Sequence, residues 1–253
     1  MPGLAERGPA IWDRCQDEAA PVGIRAKSHM TDDSSPRAFR YDPPPPGKLP
    51  VIHVDEHILV IDKPAGLLTV SGKTPDLADC LDRRAQADFP TATIIHRLDK
   101  DTSGLIILAL SRYAHGHIGK QFEKRQVRKR YVAAIWGQIA PETGRVDAPV
   151  RSDWPNRPKQ RIDRAQGRSA VTDWRVIESG EAVSRVELTP LTGRTHQLRV
   201  HMAHLGHPIL GDNLYAHDAA LAASDRLCLH AAELCLRHPD GGAPVCFRSA
   251  VPF

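Results

Sequence analysis

The chain has 253 residues, of which 41% are hydrophobic and 25% charged, values that are ordinary for a soluble globular protein of one or two domains. Its net charge of +4 and its pI of about 8.9 favour a polyanionic partner. The longest strongly apolar run, residues 105–110, is far too short to cross a bilayer, and the first residues lack the apolar stretch of a secretory signal. We therefore expect a cytoplasmic protein without a membrane segment.

Residues 1–47 are predicted to be an extension without a core of its own. They hold six basic and seven acidic residues, and they end in four prolines and a glycine, a run that cannot continue a helix or a central strand. The remaining 206 residues hold 28 basic and 23 acidic residues, so all the excess positive charge lies there. The sequence thus predicts a flexible Pro-rich extension over 1–47 and one folded domain over 48–253.

The first half of the folded domain alternates short strands and helices. In chain order, the patterns predict strands over 51–54 and 58–61, a helix over 77–89, a strand over 105–110, a helix over 113–126 and a strand over 129–139. The run at 105–110 is continuously apolar, as is typical of a strand that is covered on both faces.

The second half contains more strand than helix. Residues 170–176 and 182–188 alternate with the period of a half-buried sheet, and residues 195–205 change to helical spacing before a glycine and a proline. Closing strands are predicted over 226–236 and 243–251. Because the strands are numerous and irregularly spaced while helices are few, we predict an α+β fold.

The cysteines predict neither a disulfide framework nor a zinc site. Their number is odd, and no two of them have the C-x-x-C spacing. The five are Cys15, Cys80, Cys228, Cys235 and Cys246. This usage favours a reducing compartment.

The densest group of reactive side chains lies at residues 96–101, between two apolar segments, where His, Arg, Asp, Lys and Asp occur within six positions. Polar loops on a rigid sheet often carry catalytic groups. The residues alone leave a second interpretation open, in which Asp99 or Asp101 forms an Asx turn and Arg97 is a solvated charge.

This loop and four further segments resemble the signature segments of RluA-type pseudouridine synthases. The loop matches through His96-Arg97-Leu98-Asp99 and the Thr-Ser-Gly at 102–104, and the other segments lie in matching order at residues 62–68, 129–133, 191–201 and 206–212. Residues 153–160 also resemble a segment of those members that lack an S4-like RNA-binding domain and modify 23S rRNA and tRNA. The resemblance extends from about residue 50 to the C-terminus. It implies a mixed, mostly antiparallel sheet flanked by helices and loops.

The resemblance implies an RNA-modifying isomerase. In that reaction the bond between C1′ of the ribose and N1 of uracil breaks, the base turns, and C5 bonds to C1′, so no cofactor is required. The resemblance implies that Asp99 is the nucleophile and that the guanidinium of Arg199 favours the ionised form of Asp99. It also implies that the ring of Tyr131 stacks on the uracil. Whether Asp99 attacks the sugar or the uracil ring stays open, as does the order of proton transfers.

Further residues are predicted to bind the RNA. The resemblance implies that Arg97 occupies the space left by a flipped-out base and that Ile209 and Leu210 form an apolar pocket wall, and His96 and Arg194 are additional candidates. Two basic segments, 112–130 and 151–168, are expected to contact phosphates through Arg128, Lys129, Arg130, Arg157 and Lys159. From the residues alone, the first segment equally fits a solvated helix face.

Two other function classes are suggested by parts of the sequence. Four histidines within twelve residues, His196, His201, His204 and His207, suggest a metal-dependent hydrolase, but no H-E-x-x-H pattern occurs and no metal site is predicted. A non-catalytic RNA-binding protein of the same fold is the other alternative, against which the three implied catalytic residues favour the enzyme. We expect RNA as the partner, either 23S rRNA or tRNA or both, and a monomer.

Overall fold

The computed structural model describes residues 41–253, which form a ten-stranded mixed sheet and a separate two-stranded hairpin. The strands are β1 (Val51–Val54), β2 (Ile58–Lys63), β3 (Thr93–Ile94), β4 (Ser103–Ala109), β5 (Arg128–Trp136), β6 (Thr143–Asp147), β7 (Val150–Ser152), β8 (Gln160–Ile162), β9 (Val171–Glu178), β10 (Val183–Pro190), β11 (Leu229–Arg237) and β12 (Pro244–Arg248). The helices are α1 (Leu81–Asp88), α2 (Arg112–Glu123), α3 (Gln197–His204) and α4 (Asp218–Ala222), with 3-10 turns at Pro75–Leu77 and Trp154–Asn156. The predicted α+β class is confirmed.

The order of the strands brings distant parts of the chain together. The sheet runs β1-β2-β4-β11-β5-β10-β9-β6, with β3 on β4 and β12 on β11, while β7 and β8 form the hairpin. The late strand β11 lies between β4, to which it is parallel, and β5, to which it is antiparallel. Gly104 permits this approach, because its φ is +109° and a Cβ there would collide with the backbone of Ala231.

The continuous apolar run of β4 is explained by helices on both faces of this part of the sheet. Side chains of β2 and β4 alternate between two buried clusters. One cluster, with Leu59 and Ile106, packs against α1, and the other, with Val60 and Ile107, packs against α2. A strand that is buried on both faces needs apolar residues at every position. The prediction of a buried strand at 105–110 is therefore confirmed.

Some element boundaries differ from the predicted ones. The helix predicted over 77–89 is divided, because α1 begins at Leu81, where its first N–H groups donate to the carbonyls of Leu68 and Thr69. The helix predicted over 195–205 begins only at Gln197, because His196 has a left-handed backbone with φ of +55°. Five strands and helices were not predicted, namely β3, β6, β7, β8 and α4. Each of them has at most five residues, which are too few to show a periodic pattern of apolar side chains.

The structure describes only the end of the predicted extension. Residues 1–40 lie outside the described residues. In the remainder, Tyr41 donates to the carbonyl of Asp79, and Arg84 of α1 donates to the carbonyl of Pro44 at 2.7 Å.

The cysteines predicted no disulfide framework, and this expectation was wrong for one pair. Cys235 and Cys246 are paired partners on β11 and β12 and are joined by a disulfide. No helix within residues 41–253 is both long and apolar enough to cross a bilayer.

Candidate active site

An open cleft of about 1310 Å³ lies between two stretches of the chain that are distant in sequence. One side is formed by the loop that precedes β4, and the other by the segment that leads into α3, with the start of β5 between them. We call residues 63–102 the aspartate wall and residues 192–215 the arginine wall. The cleft lining includes eight Lys or Arg side chains and two acidic ones. Such a surface attracts polyanions.

On the aspartate wall, main-chain hydrogen bonds fix the loop around Asp99. Thr69 Oγ1 donates to the carbonyl of Leu98 at 2.7 Å and accepts the N–H of the same residue at 3.3 Å. On the other side of Asp99, the carbonyl of Lys100 accepts the N–H of Gly66 at 2.9 Å. The loop is therefore fixed on both sides of Asp99, whose side chain remains 27% exposed in the cleft.

The buried side chain of Lys63 also holds the loop of Asp99 in place. Its side chain is fully buried, and Nζ donates to the carbonyls of Pro64, Leu67 and Lys100 at 2.8–2.9 Å. Burial lowers the pKa of Lys63 to about 7, although the charge of Asp101 opposes the shift. Lys63 thus joins the end of β2 to the loop of Asp99 through a buried set of hydrogen bonds.

On the arginine wall, a buried ion pair holds the guanidinium of Arg199. Nε and Nη2 donate to the two carboxylate oxygens of Asp212 at 2.8 and 2.6 Å, and the side chains of Arg199 and Asp212 are 2% and 0% exposed. The third nitrogen, Nη1, lies 3.9 Å from Oδ2 of Asp99. Two parallel hydrogen bonds fix the plane of a guanidinium, so Asp212 directs Nη1 towards Asp99.

His196 and Tyr215 stand beside this pair. His196 Nε2 lies 4.0 Å from Oδ1 of Asp99, and its Nδ1 lies 2.7 Å from the hydroxyl of Tyr215. That hydroxyl also accepts the main-chain N–H of Gln160 in β8 at 2.7 Å. Burial foremost lowers the pKa of His196, and burial foremost raises the pKa of Tyr215, so both side chains are neutral at pH 7.

Tyr131 lies near the start of β5, between the two walls. Its ring lines the cleft and packs against the apolar clusters on either side of it. Burial, with the charge of Asp99 as a second cause, raises the pKa of Tyr131 well above its ordinary value. The ring is therefore neutral and supported by apolar side chains, a form in which it can stack on a planar base.

The other predicted cleft residues have different surroundings. Arg97, Arg128, Lys129 and Arg194 line the cleft, and the first two are exposed. His96 also lines it, but its ring stacks on Phe122 with centroids 4.6 Å apart, and its Nε2 accepts the N–H of Ile107. The position of His96 is therefore explained by packing and by one main-chain hydrogen bond.

Five predicted residues do not line the cleft. Ile209 and Leu210 are buried in the core. Ile209 forms an isolated β-bridge with Ile135, and the N–H of Leu210 donates to the carbonyl of Ala134. Arg130 pairs with Glu187 and Glu233 instead. Arg157 and Lys159 lie in the β7–β8 hairpin, where the guanidinium of Arg157 covers the ring of the exposed Trp154 at 3.2 Å. Their predicted roles in RNA binding stay predictions.

Four residues that hold Asp99 and Arg199 in place, or lie beside them, had no predicted role in the site, and His196 among them lines the cleft. They are Lys63, His196, Asp212 and Tyr215. Lys63, His196 and Asp212 stand inside the matched segments 62–68, 191–201 and 206–212, so a signal for them was present. Tyr215 had no such signal, because its place beside His196 results from the packing of the chain after α3.

The histidine cluster is dispersed in the fold. His201 is buried between Thr172 and the carbonyl of Ala148, His207 contacts the carbonyl of Trp136, and His204 is exposed. Within residues 41–253, no group of three or more His, Cys, Asp or Glu side chains is placed to hold a metal ion.

Comparison with known proteins identifies the family. The sequence model of the RNA pseudouridylate synthase family matches residues 57–204, more than half of the chain. The chain belongs to the RNA pseudouridylate synthase family. It is an RNA pseudouridine synthase of the RluA type, as the matched segments predicted.

The relatives of this synthase match over almost their whole length. It is 48% identical over 204 residues to the dual-specificity RNA pseudouridine synthase RluA of Yersinia pestis, a match that covers 80% of the chain and 99% of that protein. It is 45% identical to the protein of the same name from Escherichia coli K12, with 84% and 98% covered. The solved structure of human RNA pseudouridylate synthase domain containing 1 has a TM-score of 0.68 and 32% identity, and the match covers 81% of the chain and 86% of that protein.

Proposed function

We propose that this synthase isomerises uridines in tRNA and in 23S rRNA, with Asp99 as the nucleophile. The proposal rests on one observation above all. Asp99 is the acidic side chain of the cleft towards which a buried guanidinium is directed, since Nη1 of Arg199 lies 3.9 Å from it. The two RNAs are those that the resemblance of residues 153–160 implies, and dual specificity agrees with the names of the Yersinia and Escherichia relatives.

Each side chain at the cleft has a role in the proposed reaction. A carboxylate oxygen of Asp99 bonds to the nucleotide, the bond between N1 and C1′ breaks, and the bond to Asp99 breaks again once C5 has bonded to C1′. The guanidinium of Arg199 keeps a positive charge beside the carboxylate, and Tyr131 stacks on the detached base, a contact worth about 1–3 kcal/mol. After C5 bonds to C1′, the hydrogen of C5 leaves as a proton, and N1 gains one.

The test uses RNA that carries tritium at C5 of uridine. Forming the new carbon–carbon bond expels that hydrogen, so tritium in water measures the isomerisation. We expect release by the wild type from tRNA and from 23S rRNA transcripts, in the presence of a chelator, and no release by Asp99→Asn. The exposed Asp240→Asn serves as the matched control. Release by Asp99→Asn at the wild-type rate would refute the proposed nucleophile, and release from one RNA alone would refute dual specificity.

Arg97 is proposed to occupy the space of the flipped-out base. Flipping a base out of a structured RNA costs a few kcal/mol of stacking, which a side chain in the vacated space partly restores. We expect Arg97→Ala to slow the modification of a folded stem-loop more than that of an unstructured RNA with the same target sequence. The exposed Arg83→Ala is the control, and equal slowing of both RNAs by Arg97→Ala would contradict this role.

The expectation of a cytoplasmic monomer stays a prediction. Light scattering of the full chain, alone and with tRNA, tests the oligomeric state. Fractionation of cells that express the chain tests the location.

A further inference from the structure

Asp99 is faced by two nitrogen atoms from the arginine wall, one for each oxygen. Nη1 of Arg199 lies 3.9 Å from Oδ2, and Nε2 of His196 lies 4.0 Å from Oδ1. A movement of about 1 Å brings either nitrogen to hydrogen-bond distance. The His196 side chain is only 11% exposed. Its residue has a left-handed backbone, which is uncommon for a non-glycine residue and often marks a functional site.

The hydrogen bonds of Tyr215 decide which nitrogen of His196 carries the proton. The Tyr215 hydroxyl accepts the main-chain N–H of Gln160, an unambiguous donor, and its own proton remains to be donated. Among the hydrogen bonds of the described residues, His196 Nδ1 at 2.7 Å is the acceptor for that proton. If Nδ1 accepts, a neutral imidazole carries its proton on Nε2, the nitrogen that faces Asp99.

The charges around the ring agree with a neutral imidazole. Burial is the largest cause that lowers the pKa of His196, and Arg199 lowers it further. The carboxylates of Asp99, Asp212 and Asp101 act in the opposite direction but do not reverse the shift. At pH 7 the ring therefore has one N–H group to offer.

We propose that His196 is a positioning residue that donates its Nε2–H to Oδ1 of Asp99 while Arg199 holds Oδ2. Two donors on different oxygens fix the rotation of the carboxylate about its Cβ–Cγ bond, so that one lone pair is directed at the reacting nucleotide. Main-chain hydrogen bonds hold the loop of Asp99 but leave this rotation free, and His196 restricts it. The inference rests on the proposed function, because it takes Asp99 as the nucleophile.

The first experiment measures the tautomer without any turnover. In the full chain labelled with ¹⁵N-histidine, long-range ¹H–¹⁵N correlation distinguishes protonated from unprotonated ring nitrogens, and His196→Gln identifies the signals of His196. We expect the Nε2–H form in the wild type and a mixture of both tautomers in Tyr215→Phe. A wild-type ring that is protonated on Nδ1 alone would overturn the proposal.

The second experiment separates positioning from a merely structural role. The amide of Gln reaches the place of Nε2 and has an N–H to donate, whereas the amide of Asn is too short. We expect His196→Asn to lower kcat about 100-fold with KM unchanged, and His196→Gln to stay within about tenfold of the wild type. The exposed His204→Gln is the control.

Each outcome of the kinetic experiment has a distinct meaning. Equal losses in the Gln and Asn variants, or a change in KM alone, would overturn the role of His196. If the wild type released no tritium from any RNA, the proposed function would fail, while the tautomer would still be decided by the spectra.

Discussion

The two walls of the cleft are held by different kinds of interaction. On the aspartate wall, Lys63 and Thr69 bind main-chain carbonyls, so the loop of Asp99 is fixed by its backbone. On the arginine wall, side chains hold side chains, as in the pair of Arg199 and Asp212. The side chain of Asp99 thus stays accessible for reaction, whereas Asp212 holds two nitrogens of the buried Arg199 guanidinium. A substitution that breaks the ion pair of the arginine wall leaves an uncompensated buried charge. It should therefore lower the free energy of unfolding more than a substitution on the aspartate wall.

The largest effect is expected for Asp212→Asn. Removal of one charge from a buried ion pair leaves the other without compensation, which costs about 3–5 kcal/mol. We expect the free energy of unfolding, measured in urea, to fall by about that amount and tritium release to be lost. The exposed Asp240→Asn should change neither. A loss no greater than that of Asp240→Asn would show that the arginine wall does not depend on this pair.

Lys63→Met is expected to have the next largest effect. It leaves three carbonyls without their donor, and the missing hydrogen bonds should lower the free energy of unfolding by about 3 kcal/mol. Urea unfolding measures the change, with the exposed Lys48→Met as the matched control. If Lys63→Met were more destabilising than Asp212→Asn, the proposed order of the two walls would be reversed.

His96 should make the stability of the aspartate wall depend on pH. Burial foremost, and the charge of Lys129 second, lower the pKa of His96 from 6.5 to about 3. Below pH 6.5 the unfolded chain therefore binds a proton that the folded chain does not bind until about pH 3, so stability falls as the pH falls. From pH 7.5 to pH 5.0 the wild type should lose about 2 kcal/mol more than His96→Gln.

Urea unfolding at the two pH values measures this difference. The Gln variant is a fair control because its amide oxygen can still accept the N–H of Ile107. Identical losses in the two proteins would show that the ring of His96 is readily protonated in the folded chain.

Thr69→Val should have the smallest effect. The substitution keeps the shape of the side chain but removes the hydrogen bonds to the main chain of Leu98, at a cost of about 1 kcal/mol. We expect a lower rate of tritium release with unchanged RNA affinity, because the loop of Asp99 becomes less fixed. The exposed Thr74→Val is the control. An unchanged rate would show that Lys63 and Gly66 suffice to hold the loop.

Sequence patterns predicted the parts of the fold whose periodicity is long enough to read. β4 is apolar throughout because helices cover both its faces, and β9 and β10 alternate because one face of each packs into the core through Trp174, Val186 and Leu188. The hairpin of β7 and β8 has three residues in each strand, so no period could reveal it. The pairing of Cys235 with Cys246 depends on the register of β11 and β12, which spacing along the chain does not show.

The sequence predicted residues of the candidate site only where a segment that resembles the family implies a role for the residue. Asp99, Tyr131 and Arg199 were predicted in this way, and the structure brings them to one cleft. Asp212 stood in a matched segment, but its role requires a partner 13 residues away to turn towards it. The hydroxyl of Tyr215 contacts His196 and Gln160 only because the fold brings α3 and β8 together, which no local pattern encodes.

The place of β11 has a consequence for the order in which the enzyme is made. This strand lies between β4 and β5, and it brings His230 against Ser103, 127 residues earlier in the chain. On a ribosome the aspartate wall and the arginine wall are both synthesised before β11 exists to join them. A growing chain therefore carries both walls before the cleft between them has formed, and we expect it to modify RNA only after its last strands have left the ribosome.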